Sequence, residues 1–174
     1  MPNKRHAAHR VAFLGVMLAM ALALSWFESA VLPVLPMLSP GVKLGLSNIV
    51  TMYAVFFLGA RDALTIAVLK SFFVFLTRGP TGAAMSLVGG LVSVAVMLVL
   101  LRLVPSLSSR FVSIAGAIGH NLGQLGMSVL ILQSAYTLYY LPVMLLSGVV
   151  MGIVTGILLK LVMPYLRRMD GALK

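Results

Sequence analysis

Apolar stretches about as long as a membrane-crossing helix follow one another along most of this chain, with only short polar breaks between them. A helix needs roughly 20 mainly apolar residues to cross a hydrocarbon core of about 30 Å. Hydrophobic residues make up 61% of the 174 residues and charged residues only 9%, whereas a soluble domain has about 25% charged residues. A soluble fold could not bury so much apolar surface, so the sequence predicts an integral membrane protein.

The hydrophobic pattern predicts an all-α fold of six transmembrane helices joined by short loops. The spans are expected at residues 11–31, 44–60, 62–78, 83–104, 111–134 and 139–163. The second and third are brief and are separated only by the Ala60-Arg61-Asp62 hinge. Such short helices are expected to be little tilted, or partly buried in protein.

The net charge of +10 comes from 13 Lys and Arg residues against three Asp and Glu residues. An even number of crossings puts both termini on one side of the membrane. If that side is the cytoplasm, ten of the 13 cations lie inside, as the positive-inside rule favours: Lys4, Arg5, Arg10, Arg61, Arg102, Arg110, Lys160, Arg167, Arg168 and Lys174. The charge pattern therefore predicts an N-in, C-in topology with anionic lipid as the partner of the cations, not nucleic acid. Residues 1–10 and the basic tail 166–174 are then cytoplasmic and flank a membrane domain over residues 11–165.

The residue types that catalysis usually requires are scarce. Glu28, Asp62 and Asp170 are the only carboxylates in the sequence, and they are too scattered to hold Mg²⁺ against diphosphate as a prenyl-diphosphate synthase does. The sequence contains no P-loop pattern and no cysteine, and its histidines lack the spacing of a metal site. It therefore predicts a protein that is not an enzyme and that needs no metal or other cofactor.

Three cations fall in the middle or outer part of the predicted bundle, namely Lys43, Lys70 and Arg78. A cation at the centre of a membrane helix costs roughly 2.5–3.5 kcal/mol on insertion scales, so each of them invites a functional explanation. Glu28, near the outer end of the first helix, is the only acidic residue opposite them. Two interpretations remain open: the surplus charge binds an anionic ligand, or Lys43 and Arg78 snorkel to headgroups while Lys70 pairs with Glu28.

Polar side chains on the fifth predicted helix form a second candidate group. His120, Asn121, Gln124 and Ser128 occupy neighbouring positions over two helical turns. They either tie helices together through hydrogen bonds or line a substrate cavity, to which Asn48 of the second helix would contribute.

Small residues recur at three- and four-residue spacing on several predicted helices, which lets another helix approach closely. On the last three helices this pattern favours packing within the chain. Gly15, Ala19 and Ala23 share such a face on the first helix, and there contact with another subunit is equally open.

Three stretches together resemble one family: PGVKLGLSNIVTMYAVFFLGARDAL at 40–64, MSLVGGLVSVAVM at 85–97 and AGAIGHNLGQLGMSVLI at 115–131. The family comprises the small integral-membrane proteins described as heptaprenyl diphosphate synthase component I, also known as the Gx transporter family. It is similar in turn to the substrate-binding S components of energy-coupling factor (ECF) vitamin transporters.

The resemblance implies a six-helix, S-component-like fold in a bacterial plasma membrane, with an outward-facing small-molecule site roofed by the loop after the first helix. Lys43 would lie beside that loop and clamp an anionic group. The implied partners are an ECF transmembrane coupling subunit, which would dock on Gly15, Ala19 and Ala23, and two ATPase subunits. The expected function is uptake of a small, anionic, partly hydrophobic molecule such as a vitamin or a quinone or isoprenoid precursor. Two alternatives stay open: a non-catalytic membrane partner of a polyprenyl diphosphate synthase, and a facilitator that works without the ATPase module.

Overall fold

A computed structural model of the protein describes residues 4–31 and 45–172, and every regular element in these ranges is helical. The helices are α1 (Lys4–Val31), α2 (Asn48–Tyr53), α3 (Ala60–Leu103), α4 (Ser109–Leu132) and α5 (Leu141–Ala172). A π-helical turn, Ala54–Leu58, extends α2, and a 3₁₀ turn, Ala135–Tyr140, precedes α5. Within the described residues, four stretches are long and apolar enough to cross a membrane: Ala8–Glu28, Ala60–Leu103, Ser109–Leu132 and Ala135–Tyr165. The prediction of an all-helical, multi-pass membrane protein is thus confirmed, with four qualifying helices where the sequence predicted six spans.

Helix α3 contains two of the predicted spans, which explains part of this difference. A straight helix of its 44 residues would be about 66 Å long, roughly twice the thickness of the hydrocarbon core. At Gly79 the backbone leaves the helical region (φ 76°, ψ −175°), a conformation that glycine adopts readily, and Pro80 suits the first turn of a new helix. A Cβ built on Gly90 would lie 3.4 Å from the Cβ of Ala67. The arms of α3 before and after Gly79, here the first and second arms, therefore pack as an antiparallel hairpin.

Helix α2 explains the rest of the difference. The sequence places a full span at 44–60, but the structure has a short apolar helix, Asn48–Leu58, of about 16 Å. Helix α2 contacts α1, α3, α4 and α5, and residues 49–55 are all buried. A helix that is apolar on every side is typical of a position inside a bundle. Of the two alternatives open for this short helix, little tilt or partial burial in protein, the structure shows burial.

The surface and the interior have the polarity expected in lipid. Phe72, Leu76 and Leu130 are 61%, 66% and 72% exposed, whereas Lys70 and Gln124 are 3% and 1% exposed. Soluble proteins bury apolar side chains and leave Lys and Gln at the surface. The reversed arrangement indicates that the outer face of these helices contacts hydrocarbon.

Glycines bring α4 close to both of its neighbours. A Cβ added at Gly123 would lie 2.9 Å from the Cα of Gly89 on the second arm of α3, and a Cβ added at Gly152 of α5 would overlap the backbone of Ile114. The small residues of these helices therefore serve packing within the chain, as predicted.

Polar contacts mark the two ends of α1. Arg10 forms a bidentate ion pair with Asp62 at the start of α3, with Nη2 2.7 Å from Oδ1 and Nε 3.2 Å from Oδ2. At the other end, Glu28 accepts a hydrogen bond from the backbone N–H of Gly45. The helix between Arg10 and Glu28 is about 27 Å long, close to the core thickness. These contacts define an Arg10 end and a Glu28 end of the bundle.

Candidate functional site

Lys70 lies inside the bundle on the first arm of α3, where it is 3% exposed. Its Nζ donates hydrogen bonds to the Oγ of Ser47 and the Oδ1 of Asn48, both at 3.1 Å. The negative charge of Glu28 also stabilises the ammonium electrostatically. Because an ammonium has three N–H donors, these contacts leave one donor of Lys70 without a hydrogen-bond partner among the described residues.

Close helix contacts place further polar residues at the depth of Lys70. The packing of Gly90 on Ala67 brings the second arm of α3 beside Lys70, and a Cβ built on Gly89 would lie 2.8 Å from the Cγ of Gln124 on α4. Ala67 lies three residues before Lys70, so these positions are within about 5 Å of Lys70 along the helix. We use the term polar layer for the buried or partly buried side chains of Glu28, Ser47, Asn48, Lys70, His120 and Gln124.

A small cavity lies next to the polar layer, between α2, the second arm of α3, α4 and α5. Asn48 and Asn121 line its part nearer the Glu28 end, and Ser113 and Thr155 line its part nearer the Arg10 end. The space open to the centre of a water molecule is about 10 Å³, room for about one water. Pockets for small ligands are typically 300–1,000 Å³, so a vitamin-sized molecule requires side chains to move.

The predicted polar residues of α4 divide into two groups. His120 and Gln124 contact each other, with their Nε2 atoms 3.1 Å apart, and both lie against Gly89 of the second arm. The Oε1 of Gln124 is buried without a hydrogen-bond partner among the residues that the structure describes. Asn121 instead faces α5, where its Nδ2 donates to the carbonyl of Met144 at 2.7 Å. Asn121 therefore ties two helices together and also lines the cavity, so both sequence interpretations apply to it.

The polar layer contains five of the predicted ligand-binding residues: Glu28, Asn48, Lys70, His120 and Gln124. Within it Lys70 donates a hydrogen bond to Asn48, and Glu28 acts on Lys70 through its charge. Arg78 is half-buried at the Glu28 end, about 12 Å along the helix from Lys70, and forms no hydrogen bond or ion pair with another described residue. Lys43 and the predicted roof of the site lie outside the described residues.

The predicted docking face on α1 points away from the other residues that the structure describes. Gly15, Ala19 and Ala23 are exposed, and a Cβ built on Gly15 would meet no atom within 4 Å. Packing within the chain, one of the two explanations open from the sequence, therefore does not use this face.

Sequence reasoning missed several polar residues of the site. Ser47 accepts a hydrogen bond from Lys70, and its place next to Asn48 at the start of an apolar run was the available signal. Ser113 donates to the carbonyl of Gly152 at 2.8 Å, and its Oγ is 2.9 Å from the Oγ1 of Thr155. Hydroxyl residues opposite interhelical glycines are common in membrane bundles, and that pattern could have identified this pair. The described residues include no cluster of His, Asp and Glu that could hold a metal ion.

Comparison with known families identifies the group to which the chain is related. A family model described as heptaprenyl diphosphate synthase component I matches residues 17–162, which include α2, α3 and α4 entire. The chain belongs to this family. The family resemblance drawn from the three sequence stretches is thereby confirmed, and the description as one component of a synthase fits a membrane partner subunit. No curated protein was found to match the chain.

Proposed function

We propose that this protein is a membrane subunit that binds a small, anionic, partly hydrophobic molecule for uptake, in the manner of an ECF S component. The observation that carries the proposal is the buried ammonium of Lys70, which hydrogen-bonds to Asn48, a residue that lines the cavity. Its two hydrogen-bond acceptors are neutral oxygens of Ser47 and Asn48, and one N–H donor has no hydrogen-bond partner among the described residues. A charge-assisted hydrogen bond to a ligand anion would satisfy that donor and offset the cost of a buried cation.

The proposal includes six membrane crossings with both termini in the cytoplasm of a bacterial cell. The two arms of α3 would provide two crossings, and α2 with the residues before it would provide another. Exposed cations are concentrated at the Arg10 end of the bundle: Arg10, Arg61, Arg102, Arg110 and Lys160. The positive-inside rule assigns this end to the cytoplasm, so the Glu28 end faces the side from which a substrate arrives, and Lys70 lies about midway along its arm, about 12 Å from both Asp62 and Arg78.

The energy for uptake would come from separate subunits. The exposed face of Gly15, Ala19 and Ala23 is suited to close contact with a helix of a transmembrane coupling subunit, which two ATPase subunits would drive. Replacing Ala19 and Ala23 together with leucine should abolish capture of the coupling subunit in a pull-down and leave folding intact. Ala95→Leu, an exposed alanine on α3, is the matched control. Equal capture by both variants would contradict this assignment.

Ligand retention tests the binding function directly. The full chain is purified in detergent as wild type, Lys70→Gln and Lys160→Gln, and each is examined by native mass spectrometry and by titration with the molecule identified. Lys160 is an exposed lysine on α5 and controls for the loss of one charge. We expect a stoichiometric ligand on the wild type and on Lys160→Gln, and at least a tenfold weaker affinity for Lys70→Gln. Equal affinity of all three proteins would refute the role of Lys70.

The family description favours a second function, that of a non-catalytic membrane partner of a polyprenyl diphosphate synthase. The exposed cations at the Arg10 end would then dock the soluble enzyme. This function predicts that a synthase subunit copurifies without any coupling subunit, and that Lys70→Gln changes nothing. Copurification from native membranes therefore separates the two proposals.

A further inference from the structure

The part of the cavity nearer the Arg10 end has its own chemistry. Met52, Met97 and Met151 line it from α2, the second arm of α3 and α5. All three are almost fully buried, at 3%, 2% and 8% exposure. Methionine is flexible and polarizable, fills irregular gaps and re-packs around bound groups. A cavity bounded by three methionines from three helices can therefore widen without disturbing the helices.

Two hydroxyl groups in this part of the cavity, those of Ser113 and Thr155, are already engaged. Ser113 donates to the carbonyl of Gly152 at 2.8 Å, and Thr155 donates to the carbonyl of Met151 at 2.8 Å. A hydroxyl has a single donor hydrogen, so neither residue retains one for a ligand. The surface offered to a ligand here is therefore mainly apolar, and the hydroxyl of Ser93 is a further polar group in its lining.

The polar and apolar parts of the cavity follow the same order on opposite walls. On α2, Asn48 lies one turn nearer the Glu28 end than Met52, and on α4, Asn121 lies one turn nearer that end than Ala117. The two amide groups therefore lie on one side of the cavity and the apolar groups on the other. Asn121 donates to Met144 and Ser147, so the amide donor on this side is that of Asn48. A site with this order fits a molecule with a polar end and an apolar end.

We infer that the part lined by Met52, Met97 and Met151 is a tail subsite. The ligand is an amphiphile whose anionic head binds Lys70 and Asn48 and whose apolar tail extends toward the Arg10 end between the three methionines. This inference rests on the proposed binding function and adds to it the class and orientation of the ligand. Without ligand the methionine side chains fill the subsite, which leaves about 10 Å³ open to the centre of a water molecule, and the tail displaces them.

Photo-crosslinking in lipid nanodiscs tests the orientation. The probe is a decanoic acid with a diazirine at the end of its tail, and the labelled residues are mapped by peptide mass spectrometry on the full chain. We expect labels on Met52, Met97 or Met151, which unlabelled decanoate suppresses and decyltrimethylammonium does not. Labels confined to lipid-facing residues such as Leu130 would overturn the inference.

A filling substitution tests the space itself. Ala117→Leu places a larger side chain in the subsite and should weaken binding of the decanoate probe at least about tenfold, as expected for loss of two buried methylenes. Binding of butanoate should stay within about twofold of wild type, and Ala95→Leu on the lipid face should change neither. If Ala117→Leu does not fold, Ala117→Val is the smaller substitution, and the wild-type labelling map decides the orientation alone.

The two proposals fail in different ways. If neither carboxylate binds the wild type, the proposed anion-binding function and the tail subsite are both refuted. If both carboxylates bind, Lys70→Gln weakens both, and Ala117→Leu affects neither, then only the tail subsite is refuted.

Discussion

Replacing Gly152 with alanine tests the helix packing that shapes the cavity. A Cβ at this position would overlap the Cα of Ile114 and lie 3.0 Å from its backbone nitrogen. Backbone atoms cannot rotate out of the way, and carbon atoms pack best at about 3.5–4.0 Å. Helices α4 and α5 must therefore separate by roughly 1 Å to accept the methyl group.

The size of the stability loss expected for Gly152→Ala follows from the rest of the interface between α4 and α5. Gly148 and Gly156 are also close to α4, with built Cβ atoms 3.2 Å from the Cα of Ile118 and 3.4 Å from the Cα of Arg110. A separation at Gly152 would loosen both contacts. Overpacking a core costs about 1–3 kcal/mol, and a clash with backbone favours the upper part of that range. Alanine recovers up to about 1 kcal/mol of helix propensity, so we expect a net loss of about 2 kcal/mol in the free energy of unfolding.

Gly126→Ala is the matched control, because a Cβ at Gly126 of α4 would meet nothing within 4 Å. Reversible unfolding in mixed micelles with increasing denaturing detergent gives the free energy of each variant. We expect Gly126→Ala to equal the wild type or exceed it by up to about 1 kcal/mol. If Gly152→Ala is as stable as Gly126→Ala, the inferred contact between α4 and α5 is wrong.

Three further substitutions test other parts of the fold by the same unfolding measurement. Gly59 precedes α3 with φ 100° and ψ 174°, a conformation that strains a residue with a side chain. Gly59→Ala should therefore lower the free energy of unfolding by about 1–3 kcal/mol, and an unchanged stability would count against that conformation. Arg10→Asp should lower the midpoint of detergent-induced unfolding, because it breaks the Arg10–Asp62 ion pair. Adding Asp62→Arg should restore part of the lost stability, and no recovery would mean that the pair does not form. Asn121→Ala should cost about 0.5–2 kcal/mol, because a buried carbonyl of α5 loses its donor, and a neutral result would show that water replaces it.

Sequence patterns predicted where helices begin and end better than they predicted which helices span the membrane. The gap left between the third and fourth predicted helices, residues 79–82, contains the Gly79–Pro80 bend, because glycine and proline interrupt helices for local reasons. The run 44–60 has the same apolar composition whether lipid or protein surrounds it. Only the packing of α2 against four other helices shows that it is central and short.

The candidate site was predictable where charge required a partner. A buried lysine and a lone carboxylate of a membrane protein attract each other, and the charge of Glu28 does act on Lys70, but the hydrogen bonds of Lys70 go to Ser47 and Asn48. Arg78 was grouped with Lys70 and Glu28 only because it lies on the same side of the membrane. That shared side does not fix the distance between residues along a helix, and Arg78 lies two turns from Lys70. The methionine part of the cavity gave no signal, because apolar residues are the default in every membrane helix.

The position of α2 suggests how ligand binding would reach the docking face of α1. Asn48 and Met52 both lie on α2, so a ligand in the cavity acts on this helix first. Helix α2 ends at the Gly59 turn, and the next turn carries Asp62, which holds Arg10 of α1. We expect Asp62→Asn to leave ligand affinity within about twofold of wild type, because Asp62 lies about 12 Å along the helix from Lys70.

In Asp62→Asn, capture of the coupling subunit should then no longer depend on ligand. The wild type and the control variant Arg61→Gln should keep that dependence; Arg61 is a neighbouring exposed cation. The measurement is a pull-down with and without saturating ligand. If the ligand changes capture equally in all three proteins, the ion pair does not connect the cavity to α1. The route must then run through direct contacts between α1 and α2, because these helices also pack against each other.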